Sequence, residues 1–141
     1  MVTYFDTSAL VPLLIDKPGS AVCGRLWNAS SRRVTLRVSY VEARAAIASA
    51  VRHNRITSRG AQEAIGSLEI VWGAMWIIEL TDPLVRRAAE FADAHALRGY
   101  DVTHCAAAEL VHGRSVVAAA GDAALLESWC AVGFAVADTA P

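Results

Sequence analysis

The sequence predicts an α/β protein of three α/β/α layers, a parallel sheet of four to five short strands covered by helices. Three observations carry this. Short apolar, β-branched or aromatic runs alternate with longer helical patterns from end to end, the arrangement that builds parallel sheets. The chain has 141 residues, which suits one compact domain, and no linker, repeat or low-complexity tract divides it; a single domain over 1–141 is expected. Finally, 55% of the residues are hydrophobic and the mean hydropathy is +0.35, rich enough to call for a sheet covered on both faces or an apolar interface, and hence a homodimer.

The elements follow in order. VTYF at 2–5 reads as the first strand, and the small-residue turn Asp6-Thr7-Ser8 leads into the helical run ALVPLLI. Pro18-Gly19 breaks that run, Ser20 is positioned to cap a second helix to about Asn28, and RRVTLRV ending at Val38 reads as the second strand. Ser39 and Glu42 have capping-box spacing at the head of an alanine-rich helix reaching toward Arg55, and TSRGAQEAIGSLEIVW restarts as another. WIIEL is the third strand. Thr81-Asp82-Pro83 starts a helix to about Leu97, with proline at the first helical position. After Gly99-Tyr100, DVTHCAAAELVHG is helical, SVVAAAG is the fourth strand, AALLESWCAVG the last helix and FAVAD the last strand.

Composition excludes several classes. The longest uncharged stretches, IVWGAMWII and SWCAVGFAVA, fall short of the roughly 20 apolar residues a membrane span needs. The first residues lack a basic segment and carry Asp6 within their apolar run, unlike a signal peptide, so a cytoplasmic protein without a membrane partner is expected. Cys23, Cys105 and Cys130 are odd in number with no CxxC spacing, which suggests reduced, buried thiols. The net charge of −1 gives no overall footprint for a polyanion. Arg32, Arg33, Arg37, Arg52, Arg55 and Arg59 nonetheless crowd the first half, while Lys17 is the only lysine, and arginine's planar fork is the better phosphate partner.

The acids form the informative pattern. Parallel sheets place their chemistry at the carboxyl ends of the strands. Asp6 ends strand one and Asp122 follows strand four; Asp101 opens the helix before strand four, and Glu42 lies in the first turn after strand two. Singly, each has a structural account: Asp6 and Asp101 as helix caps, Glu42 as half of a capping box, Asp122 as a turn residue. Together, four carboxylates at one rim repel by on the order of 4 kcal/mol per close pair at an effective dielectric near 20, and persist only with protons or cations bound. Hard oxygen donors favour Mg²⁺ or Mn²⁺. His104, three residues after Asp101, is read as structural, because nothing in the sequence is visibly placed to orient its imidazole. Met75, Trp72 and Trp76 are either core or dimer interface.

YFDTSALVPLL, VSYVEARAAI, LRGYDVTHCAAAEL and AAAGDAALL resemble, in order and spacing and over essentially the whole chain, the PIN-domain ribonucleases, above all the VapC toxins of bacterial toxin–antitoxin pairs. The resemblance implies that Asp6, Glu42, Asp101 and Asp122 are the catalytic, metal-holding acids, with Ser8 a polar member of the first motif. It further implies a homodimer, Mg²⁺ or Mn²⁺ as cofactor, RNA such as tRNA or rRNA as substrate, and a cognate antitoxin whose C-terminal segment covers the site. Two departures stand out: many relatives have threonine or serine where this chain has Ala120, and some have a further acid where it has Ala123 and Ala124. The rival readings are a haloacid-dehalogenase-like phosphatase, which would need an aspartate where Ser8 stands, a receiver domain, which would need a late lysine, and a PIN fold kept as a scaffold without catalysis.

Overall fold

A computed structural model describes residues 1–111 and 116–140. Five parallel strands form one sheet in the order β3-β2-β1-β4-β5: β1 Val2–Phe5, β2 Arg32–Leu36, β3 Trp76–Ile78, β4 Val116–Ala120 and β5 Ala135–Asp138. The helices are α1 Thr7–Leu10, continued by a 3₁₀ turn over Val11–Leu13, α2 Ser20–Ala29, α3 Ser39–Arg52, α4 Ser58–Gly73, α5 Asp82–Ala94, α6 Gly99–Leu110 and α7 Ala123–Ala131. The expected class is thus the observed one. The chain builds outward from β1 to β3, then returns to lay β4 on the other side of β1, so the strand order reverses between β1 and β4. Such a switch point opens a crevice at the strands' carboxyl ends.

Alternation along the strands sets two faces. Tyr4, Val34, Leu36, Ala118 and Ala120 pack with α5, α6 and α7, while Phe5 and Ala119 pack with α1, α2 and Met75 on the other side. Ala106, Ala107, Ala108, Ala118 and Ala120 are essentially inaccessible. With methyl groups on both surfaces α6 lies close to the sheet, and Tyr4 and Trp129 fill the remaining depth edge to face at 5.9 Å. A third cluster joins Val11 and Leu14 to Ala43, Ile47, Ala61, Ala64 and Leu68, holding α3 and α4 against the first helix.

Several local expectations are corrected. The first helix begins earlier, at Thr7, and tightens to 3₁₀ at Pro12, whose missing N–H and fixed φ end the α-type ladder. Ser20 does not cap α2, which is preceded by Gly19; its hydroxyl turns back, donating to Pro12 O at 2.6 Å and accepting from Lys17 N at 2.9 Å. At Gly19 a side chain is impossible without movement, since a Cβ would lie 2.4 Å from the Thr139 carbonyl oxygen. The Ser39–Glu42 capping box is absent: Val38 precedes α3 without a side-chain cap, and the buried Ser39 hydroxyl accepts from Thr35 Oγ1 at 2.8 Å. Thr81 does cap α5, but Asp82 is the first helical residue and Pro83 the second, and the helix stops at Ala94 where His95 turns extended. The third strand is shorter than WIIEL. In the sixth helix and fourth strand, His112, Gly113 and Ser115 lie outside the described residues. Cys23 and Cys105 are buried as expected, whereas Cys130 is exposed. Met75 is core and Trp76 largely exposed.

Candidate active site

The site is built from four local structures. Phe5 is the last ladder residue of β1; Asp6 N still donates to Ala119 O at 3.0 Å, which fixes Asp6 in the crevice between β1 and β4. Its carboxylate caps α1, Oδ2 accepting from Ser8 N at 2.9 Å and Ser8 Oγ at 2.5 Å. Ser8 Oγ in turn accepts from Gly121 N at 2.8 Å, tying the β1 turn to the β4 turn. Asp122 follows and caps α7, Oδ1 accepting from Leu125 N at 3.0 Å. Asp101 is the third residue of α6, in the first turn where the helix dipole favours a negative charge.

Glu42, in the first turn of α3, reaches across the rim. Oε1 accepts from Thr7 Oγ1 at 2.8 Å and stands 2.8 Å from His104 Nε2. Burial pushes the Glu42 carboxyl up, but the His104 hydrogen bond, the His104 charge and the Thr7 hydroxyl outweigh it and hold it below the usual glutamate range. His104 is shielded from solvent; burial presses its pKa down, and the charge of Asp6, the bond to Glu42 and the charges of Glu42 and Asp101 raise it above the ordinary value. Asp101 is raised as well, first by burial and then by the charges of Asp122 and Asp6, with Arg98, 3.8 Å away, only partly offsetting them. Behind the rim, burial and then Asp101 and Asp6 push the Cys105 thiol up to about 12, which makes it a packing residue rather than a nucleophile.

The structure therefore brings Asp6, Asp101 and Asp122 into electrostatic reach of one another and places Glu42 on the same rim through His104. The donor set fits a hard divalent cation: carboxylate oxygens only, mutually repelling, partly buried, with Asp6, Glu42 and Asp122 each held by one oxygen. Among the described residues no three His, Cys, Asp or Glu side chains stand close enough together to cage an ion as they are. What sequence reasoning missed is Tyr4, whose hydroxyl lies 2.6 Å from His104 Nδ1 and orients the imidazole. A strand tyrosine one residue before a buried phenylalanine carries no sign of that use. Beside the acids runs a cleft of about 400 Å³ lined by Thr7, Ser8, Lys17, Gly19, Gly121 and Thr139.

A parallel sheet switching at β1 and β4, with acids after both and on the two adjacent helices, defines a nuclease-like PIN architecture. The chain belongs to the PIN domain family, whose profile matches residues 3–125. Within it, the chain is 37% identical over 136 residues to ribonuclease VapC45 of Mycobacterium tuberculosis strain CDC 1551, covering 96% of this chain and 94% of that protein. Ribonuclease VapC49 of strain H37Rv matches to the same extent. The fold is that of VapC20 from M. tuberculosis, described as a sarcin–ricin loop cleaving toxin (TM-score 0.68, 20% identity, 94% of this chain and 95% of that one). It is also that of FitAcB from Neisseria gonorrhoeae (0.69, 17%, 99% and 98%) and of DNA-bound VapBC from Salmonella typhimurium (0.68, 14%, 99% and 98%).

Proposed function

We propose that this protein is the toxin of a VapBC-type toxin–antitoxin pair, an endoribonuclease that hydrolyses RNA phosphodiester bonds with Mg²⁺ or Mn²⁺ and is neutralised by a cognate antitoxin. The observation that carries the reading is the gathering of acids at the β1–β4 switch point, stabilised by hydroxyl, amide and imidazole donors and short of basic partners among the described residues. Kinship to ribonucleases over nearly the whole chain supports the substrate class.

Asp6, Glu42, Asp101 and Asp122 would hold the cation. When bound, the divalent ion supplies Lewis acidity for water and for the phosphodiester oxygens. The chain supplies placement. Ser8 and the α1 backbone fix one oxygen of Asp6; Thr7 and His104 fix one oxygen of Glu42; Asp122 is anchored by α7. Lys17 in the adjoining cleft and Arg98, whose side chain is 90% exposed, offer phosphate contacts. The exposed apolar residues Val41, Ile70, Trp76 and Leu80 suit a homodimer contact. No helix among the described residues is long and apolar enough to cross a membrane, in keeping with a cytoplasmic toxin.

The test is RNA cleavage by the full chain with Mg²⁺, with EDTA, and by Asp6→Asn and Asp101→Asn. Cleavage that stops in the last three supports the proposal; undiminished cleavage in either mutant defeats the site assignment, and wild type that binds Mn²⁺ yet cuts no RNA would favour a scaffold.

A further inference from the structure

We propose that His104 is a positioning residue, its Nε2–H aimed by the buried Tyr4 hydroxyl so as to fix Glu42, and with it the carboxylate ring, for a divalent cation. The inference rests on the metal-dependent reading above and adds to it a shell of two residues that carry no acid.

The hydrogen bookkeeping leads there. His104 Nε2 faces two carboxylates and nothing that donates: Glu42 Oε1 at 2.8 Å and Asp6 Oδ1 at 3.4 Å. Carboxylates only accept, so Nε2 carries its hydrogen whether the ring is neutral or charged. The other nitrogen is fixed by Tyr4, 2.6 Å from Nδ1, whose hydroxyl donates to the neutral ring and accepts from the charged one. Both nitrogens are thereby committed, so His104 has no lone pair to offer a metal and no free nitrogen to act as a base toward substrate. The ring is 1% exposed and the tyrosine fully buried, and the two meet edge on with centroids 6.0 Å apart. A polar imidazole placed in that core without partners would carry an unoffset desolvation penalty; here both ring nitrogens are hydrogen-bonded in holding the rim.

The consequence falls on the oxygens. Thr7 and His104 both donate to Glu42 Oε1, which leaves Oε2 as the oxygen that would serve a cation. Ser8 occupies Asp6 Oδ2, while Asp6 Oδ1 has His104 only at the longer distance. Partners of this kind, which orient ligands without touching the ion, set metal affinity by 10–100-fold in typical sites. The route from Tyr4 on β1 through His104 on α6 to Glu42 on α3 also ties three elements at one point.

The experiment is Mn²⁺ calorimetry on the full chain, wild type against His104→Leu, His104→Gln and Tyr4→Phe. Leucine keeps the bulk and removes the donor; glutamine places an amide N–H near the Nε2 position. The expected result is Mn²⁺ affinity about 10–100-fold weaker for His104→Leu, largely recovered in His104→Gln, with a smaller loss for Tyr4→Phe, whose ring still fills the core. Equal affinity in His104→Leu and wild type, or glutamine as weak as leucine, overturns the positioning role. If His104→Leu fails to fold by circular dichroism, the wild type, glutamine and Tyr4→Phe comparison decides: unchanged affinity in Tyr4→Phe together with weak binding by His104→Gln overturns it. Wild type that binds no Mn²⁺ defeats both this inference and the metal-dependent function, whereas wild-type binding with an indifferent His104 defeats this inference alone.

Discussion

Two sets of acids on this molecule live by opposite rules. On the outer helices and the β2–β3 edge, Glu79, Asp82, Glu90 and Glu109 each meet an arginine: Arg37, Arg86 and Arg87, the last bridging Glu90 at 2.5 Å and Glu109 at 2.6 Å. At the β1–β4 rim, Asp6, Glu42 and Asp122 are held by hydroxyls, amides and an imidazole, and Arg98 stands 3.8 Å from Asp101. The surface acids are matched in charge, whereas the rim acids rest chiefly on hydrogen bonds, with Arg98 and the His104 imidazole offsetting only part of their charge. A carboxylate held by neutral donors keeps its geometry and its net charge, which is what a cation site needs and a stability site avoids.

The largest difference should appear in catalysis. Asp101→Asn is expected to lower Mg²⁺-dependent RNA cleavage by on the order of 10³-fold, the loss of several kcal/mol of charge stabilisation in the transition state, while Glu79→Gln leaves cleavage unchanged. Cleavage rates of the two variants on one RNA, at saturating Mg²⁺, measure it. Equal effects would mean that the rim acids are structural like the others.

How much of this contrast could be read from the sequence depends on whether the signal is local. Asp6 and Asp122 were readable because a strand, an acid and a helix start follow one another within a few residues, and Asp101 because a helix opens around it. Glu42 stands on the same rim, but not through the capping box that its spacing from Ser39 implies. The three-residue spacing from Ser39 is the same whether Glu42 bonds its own backbone or reaches Thr7 and His104, 35 and 62 residues away. Tyr4 and His104, 100 residues apart, pair only in the folded state. The end of α5 is equally unmarked: no glycine or proline stands at His95, where the backbone turns extended.

Next in size is the support beneath the rim. Leu36, fully buried at the end of β2, packs with Tyr4, Val34 and the α5–α6 layer, so Leu36→Ala is expected to cost about 2–5 kcal/mol in urea unfolding. The alanine-rich surfaces around it leave little room to collapse into the hole.

A smaller effect has the opposite sign from most substitutions. Asp101 is raised by burial and by Asp122 and Asp6, so in the folded, metal-free protein its charge is a burden. A carboxyl whose folded pKa lies above its unfolded value leaves stability intact below the unfolded pKa and takes it away as pH rises through the folded one. Asp101→Asn should therefore raise the melting temperature of the EDTA-treated protein at pH 7, and the gain should shrink as pH falls toward 3.8. Manganese should reverse the ranking, stabilising wild type and not the variant. A drop in melting temperature for the EDTA-treated variant at pH 7 would show that Asp101 serves the fold first.

The smallest effect belongs to the surface set. Glu79 is lowered chiefly by its hydrogen bond from Arg37, a shift that adds stability above the unfolded glutamate pKa and loses it as pH falls through the folded one. Both side chains are more than half exposed, at 51% and 60%, so water and salt screen the pair. Glu79→Gln is expected to lower the melting temperature by no more than a degree or so near neutral pH, with the difference vanishing in molar NaCl. Metal should not alter it, since Arg37 already supplies the positive charge that offsets Glu79. A salt-resistant loss, or one that Mn²⁺ changes, would place Glu79 with the rim and erase the division between the two sets.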